Sequence, residues 1–240
     1  MKKVHLFIPC FIDQLYPETG ISTVKLLRKA GVEVIYNPNQ TCCGQPAFNA
    51  GFWEDAKPVC EKFLKDFADA ELIVTPSGSC AGFVKNHYEK LFKGTAQEGA
   101  YHNLAPRIRE LSDVLVNELG YYDFGASLEG IAVYHDACGA LRECGIKNEP
   151  RQLLAHVSGL KLVESPDCET CCGFGGTFST KFEPISLAMA EQKADNAIAL
   201  GAKYLISTDS SCLLHLDGYL KKFNRPLKTM HLADVLASGL

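Results

Sequence analysis

Glu169-Thr170-Cys171-Cys172-Gly173-Phe174-Gly175-Gly176 sets two adjacent thiols at the mouth of a glycine-rich turn, and Gln40-Thr41-Cys42-Cys43-Gly44-Gln45-Pro46 repeats its centre in the first half of the chain. Neighbouring Cα atoms lie about 3.8 Å apart across a trans peptide, short of the roughly 4.4–6.8 Å that a relaxed disulfide prefers. Neither pair is therefore expected to close on itself. Whatever chemistry adjacent cysteines carry out here is expected twice.

Working outward from the two pairs, each half reads as short apolar runs alternating with helical patterns. Val4–Ile8, Val32–Tyr36 and Glu71–Thr75 are strand candidates that lead to Cys10, to Cys42-Cys43 and to Cys80. Helices are expected over Thr19–Ala30, over Trp53–Ala70 with Pro58 in its first turn, around Cys80–Phe92 and over Pro106–Leu119. In the second half Ile131–His135 leads to Cys138, Leu160–Val163 to Cys171-Cys172, and Lys203–Ser207 to Cys212, with a long helix from Pro184 to about Leu200. Cys138 follows Cys10 by 128 residues, Cys171 follows Cys42 by 129, and Cys212 follows Cys80 by 132. Leu111-Ser112-Asp113-Val114-Leu115 is echoed by Leu232-Ala233-Asp234-Val235-Leu236. These agreements identify an internal duplication. Residues 1–125 form the first repeat and 126–240 the second, joined in the glycine-bearing stretch 120–130. The expected fold is α/β: two pseudo-symmetric Rossmann-like lobes, each a parallel sheet flanked by helices.

In such sheets the carboxyl ends of the strands share one edge, where open α/β folds bind ligands. That edge gathers Cys10, Cys42, Cys43 and Cys80 in one lobe and Cys138, Cys171, Cys172 and Cys212 in the other. A free thiol has a pKa of about 8.5, and clustered thiolates repel one another, so four at one place call for a cation. Thiolates select zinc, copper(I) or iron–sulfur clusters. Side chains of neighbouring residues tend to diverge, which strains a single tetrahedral zinc and suits a cluster offering several irons. Zinc in one or both sites, as a structural assembly module, and direct thiol–disulfide chemistry stay open as alternatives.

Composition excludes other classes. Hydrophobic residues at 47% and charged residues at 22% describe an ordinary packed chain. A net charge of −4 with scattered basic residues gives no nucleic-acid footprint. No apolar run approaches the roughly 20 residues of a membrane span. Lys2-Lys3 before Val4–Ile8 mimics a signal peptide, yet no small-residue cleavage site follows, so the segment reads as a buried first strand and the protein as cytoplasmic. Eleven cysteines, an odd number, argue for metal or redox work rather than a disulfide framework.

The frames C-x31-C-C-G-x35-C, from Cys10 to Cys80, and C-x32-C-C-G-x38-C, from Cys138 to Cys212, resemble the paired cysteine-rich (CCG) domains. These occur in the heterodisulfide reductase B subunit and in iron–sulfur subunits of lactate-, glycolate- and glycerol-3-phosphate-oxidising complexes. Chain length and the run Thr170–Ser179 resemble most closely the iron–sulfur subunits of lactate utilisation (the A component). The resemblance implies an oxidoreductase subunit that carries one or two clusters and is not active alone, working with other subunits, a ferredoxin-type iron–sulfur protein among them, to take L-lactate to pyruvate. The reductase-type motif ends in C-x-x-C, whereas here Phe83 and His215 stand where the fifth cysteine would be. Four thiols per site suit a [4Fe–4S] cluster. No C-x2-C-x2-C-x3-C-P segment is present, so onward electron transfer needs a partner's clusters.

Around the frame, His215 and Cys168 are possible accessory ligands, Lys181 a possible local cation and His135 a possible proton donor, each set against a plainer structural role. For His135 the plainer role is a strand-end histidine satisfied by backbone. The backbone of Gly44, Gly173, Gly175 and Gly176 is expected to approach the cofactor closely and offer amide N–H groups. Cys60 reads as a core filler and Cys144 as a bystander.

Overall fold

The computed structural model describes residues 2–240. Its strands are β1 (Lys3–Leu6), β2 (Glu33–Tyr36), β3 (Ile73–Thr75), β4 (Ile108–Glu110), β5 (Ser127–Tyr134), β6 (Ser158–Val163), β7 (Tyr204–Ser207) and β8 (Lys228–His231). All neighbouring strands are parallel, and the sheet orders β2-β1-β3-β4 and β6-β5-β7-β8 repeat one another. The fold is the α/β duplication expected, with helices flanking both sheets.

Three strands per half were expected, and each sheet has a fourth. The helix expected over Pro106–Leu119 is instead a 3-10 turn at Ala105–Arg107, then β4, a single α-turn at Leu111–Asp113 and a π-turn at Val114–Glu118. Ile108-Arg109-Glu110 is too short and too charged to announce a strand; pairing with β3 at Ile73, Val74 and Thr75 makes it one. The join is also shorter than expected, because Ser127–Gly130 already belongs to β5, with a register shift before Gly130. Pro58 sits at the sixth residue of the Trp53–Asp66 helix, beyond the first turn, so the helix gives up one backbone hydrogen bond there.

One apolar cluster runs through both halves. Val4, Leu6 and Leu26 meet Ala132, Tyr134, Ile206 and Leu232 in it. Polar contacts cross the same boundary: Thr19 Oγ1 donates to Asp234 Oδ2 at 2.7 Å, and His231, whose Nδ1 accepts from Ala233 N–H, turns Nε2 to the Pro76 carbonyl at 3.1 Å. The closest approach is between Gly78-Ser79 and Gly139-Ala140. A Cβ on Gly78 would lie 2.4 Å from that of Ala140, and one on Gly139 would lie 2.6 Å from Ser79 Cα, so glycine is required on both sides. Among the described residues, no helix is long and apolar enough to cross a membrane.

Candidate metal centre

Each predicted ligand follows the end of a strand. Cys10 opens the Cys10–Leu15 helix after β1, and Cys80 lies in the first turn of the Gly78–Asn86 helix after β3. Cys138 leads into the π-turn Gly139–Glu143 after β5, and Cys212 lies in the first turn of the Ser210–Lys222 helix after β7. The partial positive charge at a helix start favours a thiolate there. The two Cys-Cys pairs occupy the loops after β2 and β6. All eight sulfur-bearing residues line a single cavity of about 370 Å³ between the lobes. The duplication thus brings two quartets face to face across one cleft, a relation the spacing in sequence did not reveal.

Local hydrogen bonds fix the loops that carry the cysteines. In the first lobe the Gln40 side chain accepts from Ile8 N–H at 2.8 Å, two residues before Cys10. In the second, the carbonyl of Cys168 accepts from Asp136 N–H at 3.0 Å, and Arg151 holds both Asp136 oxygens at 2.8 Å. Ser77 caps the helix of Cys80. Its counterpart Asp209 caps the helix of Cys212 and also accepts from Ser79 N–H across the lobe boundary at 2.9 Å.

Gly44 and Gly173 have φ of 93° and 96°. A Cβ would meet Cys60 Sγ at 2.6 Å in one case and Ser186 O at 2.7 Å in the other, so the third residue of each Cys-Cys-Gly is fixed as glycine by conformation and by space. Their amides turn back on the cysteines: Gly44 N–H donates to Cys42 Sγ and Gly173 N–H to Cys171 Sγ, each at 3.4 Å. Phe174 N–H, which was not expected to contribute, donates to Cys172 Sγ at 3.5 Å. Gly175 and Gly176 line the cavity.

In the first quartet the sulfurs of Cys10 and Cys42 are 3.5 Å apart, as are those of Cys43 and Cys80. Hydrogen bonds from Cys10 and Cys43 draw the Cys42 thiol down to about 3. Those from Cys138 and Cys172 draw Cys171 to about 2. The donors move the opposite way: Cys10 and Cys43 are raised by bonding to Cys42, and Cys138 and Cys172 by bonding to Cys171. In each lobe hydrogen bonds from its neighbours favour one thiolate, while hydrogen bonding, burial and then neighbouring negative charge hold the other thiols up. A cation relieves this.

The spread of the sulfurs bears on which cation. A tetrahedral zinc with bonds of about 2.3 Å needs its sulfurs roughly 3.8 Å apart. Among the described residues, no three cysteines of either quartet lie within 4.8 Å of one another. As arranged, neither quartet presents three sulfurs at the spacing of one zinc, though two pairs in the first lobe are close. The compact exception is His135 with Cys172 and Cys212, all within 4.8 Å.

His135 is buried, and neither of its ring nitrogens makes a hydrogen bond of good geometry, while the Cys168 backbone acts on the ring. Burial, and then the charge of Lys193, push it down to about 3. His135, Cys168, Lys181 and His215 all lie outside the cavity lining. Cys168 supports the Asp136 loop through its carbonyl, and burial raises its thiol. Lys181 is exposed at the end of the short Phe178–Lys181 helix. His215 Nε2 stands 3.2 Å from Ser186 Oγ and 3.2 Å from where a Cβ on Gly173 would be; burial lowers its pKa. Phe83 covers Gly44 in the same way, so both positions of the missing fifth cysteine brace the Cys-Cys-Gly turn. Cys60 fills the core and donates to Cys43 O at 3.4 Å, and Cys144 approaches Gly78 O at 3.7 Å.

Sequence reasoning missed Lys193, which is 3% exposed and donates to Asp167 O at 2.6 Å. The signal was available: on the Glu183–Ala199 helix it shares the buried face with Ser186, Ala190, Ala194 and Ala197.

An α/β duplication with two thiol quartets on facing strand ends defines a cysteine-rich protein with a donor set compatible with metal or iron–sulfur clusters. The sequence pattern of the CCG cysteine-rich domain matches residues 4–85 and 132–217. Lactate utilization protein A 2 of Bacillus cereus strain 03BB102 is 45% identical over 240 residues, 99% of each chain. Lactate utilization protein A of Geobacillus thermodenitrificans strain NG80-2 is 45% identical over 235 residues, 98% of each. The chain belongs to the cysteine-rich (CCG) domain family, together with these lactate utilization A proteins. A glutamate racemase from Francisella tularensis aligns with 99% of this chain and 78% of its own at 14% identity and a TM-score of 0.36, too loose a match to add to the fold described above.

Proposed function

We propose that the chain is the iron–sulfur electron-transfer subunit of a multi-protein, cytoplasmic oxidoreductase that converts L-lactate to pyruvate. In this reading the CCG-type repeats 1–125 and 126–240 each hold one [4Fe–4S] cluster, on Cys10, Cys42, Cys43 and Cys80 and on Cys138, Cys171, Cys172 and Cys212. The observation that carries it is the pair of thiol quartets on opposite walls of one cleft, neither of which presents three sulfurs at the spacing of one zinc. The names of the relatives support the lactate assignment.

A bound cluster supplies reversible one-electron chemistry. The chain's own residues do the rest. The amides of Gly44, Gly173 and Phe174 offset charge on cysteine sulfurs, Arg151 and Gln40 hold the loops before Cys138 and Cys10, and the bridge from Asp209 to Ser79 locks the walls together. Substrate chemistry falls to the other subunits, including a ferredoxin-type iron–sulfur protein.

Protein purified without oxygen should contain iron and acid-labile sulfide in equal amounts and show broad visible charge-transfer absorbance. Absence of both elements would end this reading. A second reading, zinc in the second lobe, is favoured by the compact His135, Cys172 and Cys212 trio. It predicts one retained zinc per chain after oxygen-free purification.

A further inference from the structure

The two lobes repeat one strand order, yet what stands behind the cysteines differs. Phe7 N–H donates to Val74 O and His135 N–H to Ile206 O, so Phe7 and His135 are equivalent positions at the ends of β1 and β5. On the helices that back the Cys-Cys-Gly turns, buried Ala56, Cys60, Phe63 and Leu64 match buried Ser186, Ala190, Lys193 and Ala194 at a constant offset. Phe63 is thus the counterpart of Lys193. In the first lobe Phe7 and Phe63 meet edge to face with ring centroids 4.9 Å apart, an apolar wall. In the second lobe the same two positions hold an unpartnered buried imidazole and a buried ammonium.

Lys193 is anchored at one side by the Asp167 carbonyl at 2.6 Å and its carboxylate at 3.8 Å. Burial lowers its pKa, while Asp167 and the thiols of Cys172, Cys168 and Cys212 favour its charged form. His135 lies within 4.8 Å of the sulfurs of Cys172 and Cys212, and neither of its ring nitrogens is held by a hydrogen bond of good geometry. A buried cation, and a donor beside the ligating sulfurs, each favour the more negative, reduced form of an iron–sulfur centre. Neither is present behind Cys43 and Cys80.

Building on the cluster assignment above, we propose that the two centres are unequal, and that Lys193 and His135 are positioning residues that give the second-lobe centre the higher reduction potential. The first-lobe centre, backed by phenylalanines, is the lower-potential member of the pair. The cleft then has a built-in direction, with the second-lobe wall the one on which an electron rests.

The test is a potentiometric titration of the full chain, purified without oxygen, followed by electron paramagnetic resonance. Iron and sulfide are assayed first; if both are absent the cluster assignment itself falls, and this inference with it. Two midpoint potentials are expected. The double variant C171A/C172A should lose the higher one, and C42A/C43A the lower. Lys193→Met should move the higher midpoint down and leave the lower in place, whereas Lys193→Arg should hold it near its original value. A single shared midpoint, survival of the higher midpoint in C171A/C172A, or zinc in place of iron in the second lobe would overturn the inference. Should Lys193→Met fail to fold, the two double variants still decide the order.

Discussion

Cys60 and Cys43 are both buried cysteines of the first lobe, 3.4 Å apart through the Cys43 carbonyl, and only their surroundings separate filler from ligand. Burial pushes the Cys60 thiol up to about 12, where it behaves as a small apolar group. Cys60→Ala is expected to cost about 1 kcal/mol of stability and leave iron content unchanged, whereas Cys43→Ala should remove about half of the iron; metal analysis beside a urea melt distinguishes the two. Glu110 gives a second prediction at this scale. It is fully buried, accepts from Ser112 N–H at 2.7 Å, and burial raises it from 4.5 to about 8. Between these values the folded protein holds a proton that the unfolded chain has released. Its stabilising contribution is therefore complete below 4.5 and is lost as pH rises through about 8. Glu110→Gln keeps an acceptor for Ser112 and removes the titration. Relative to this variant, the wild type should lose roughly 2–4 kcal/mol of stability between about pH 5 and about pH 8, and parallel pH profiles in urea denaturation would refute the assignment. The cysteine frame was legible at the residue scale because ligands must be specific residue types. Glu110 and Lys193 were not, because a charged residue reads as solvated until the surrounding packing is known.

At the level of elements, strand-to-helix turns carry the site. Asp209 serves two elements at once: it caps the Ser210–Lys222 helix and accepts from the Ser79 amide in the first turn of the Gly78–Asn86 helix in the other lobe. Asp209→Ala should cost about 1–2 kcal/mol for the lost cap and strand the Ser79 amide, while Asp209→Asn should retain most of the stability; thermal unfolding of the two variants provides the check. The alternation of strands and helices was readable from short β-branched and apolar runs punctuated by cysteine and glycine. β4 and β8 were not, since Ile108–Glu110 and Lys228–His231 carry few apolar residues and are strands by virtue of the neighbours they pair with.

For the whole molecule, the decisive feature is that the largest apolar cluster belongs to neither half alone. Residues from β1 and the Pro17–Lys29 helix pack with residues from β5, β7 and the Leu232–Leu236 helix. The full chain is expected to unfold in one cooperative transition, and residues 1–125 expressed alone should show none, since they would expose that face. A two-state melt from the isolated half would contradict this. By itself the sequence determined the duplicated α/β pattern, the eight cysteines and the two Cys-Cys-Gly turns, because these depend on local backbone needs and on ligand chemistry that single residues carry. Only the tertiary structure decided that both quartets open on one cleft, and that phenylalanines back one Cys-Cys-Gly turn while Lys193 and His135 back the other. Those relations rest on contacts such as Gly78 with Ala140 and His135 with Cys172 and Cys212, whose partners lie tens of residues apart and leave no periodic mark along the chain.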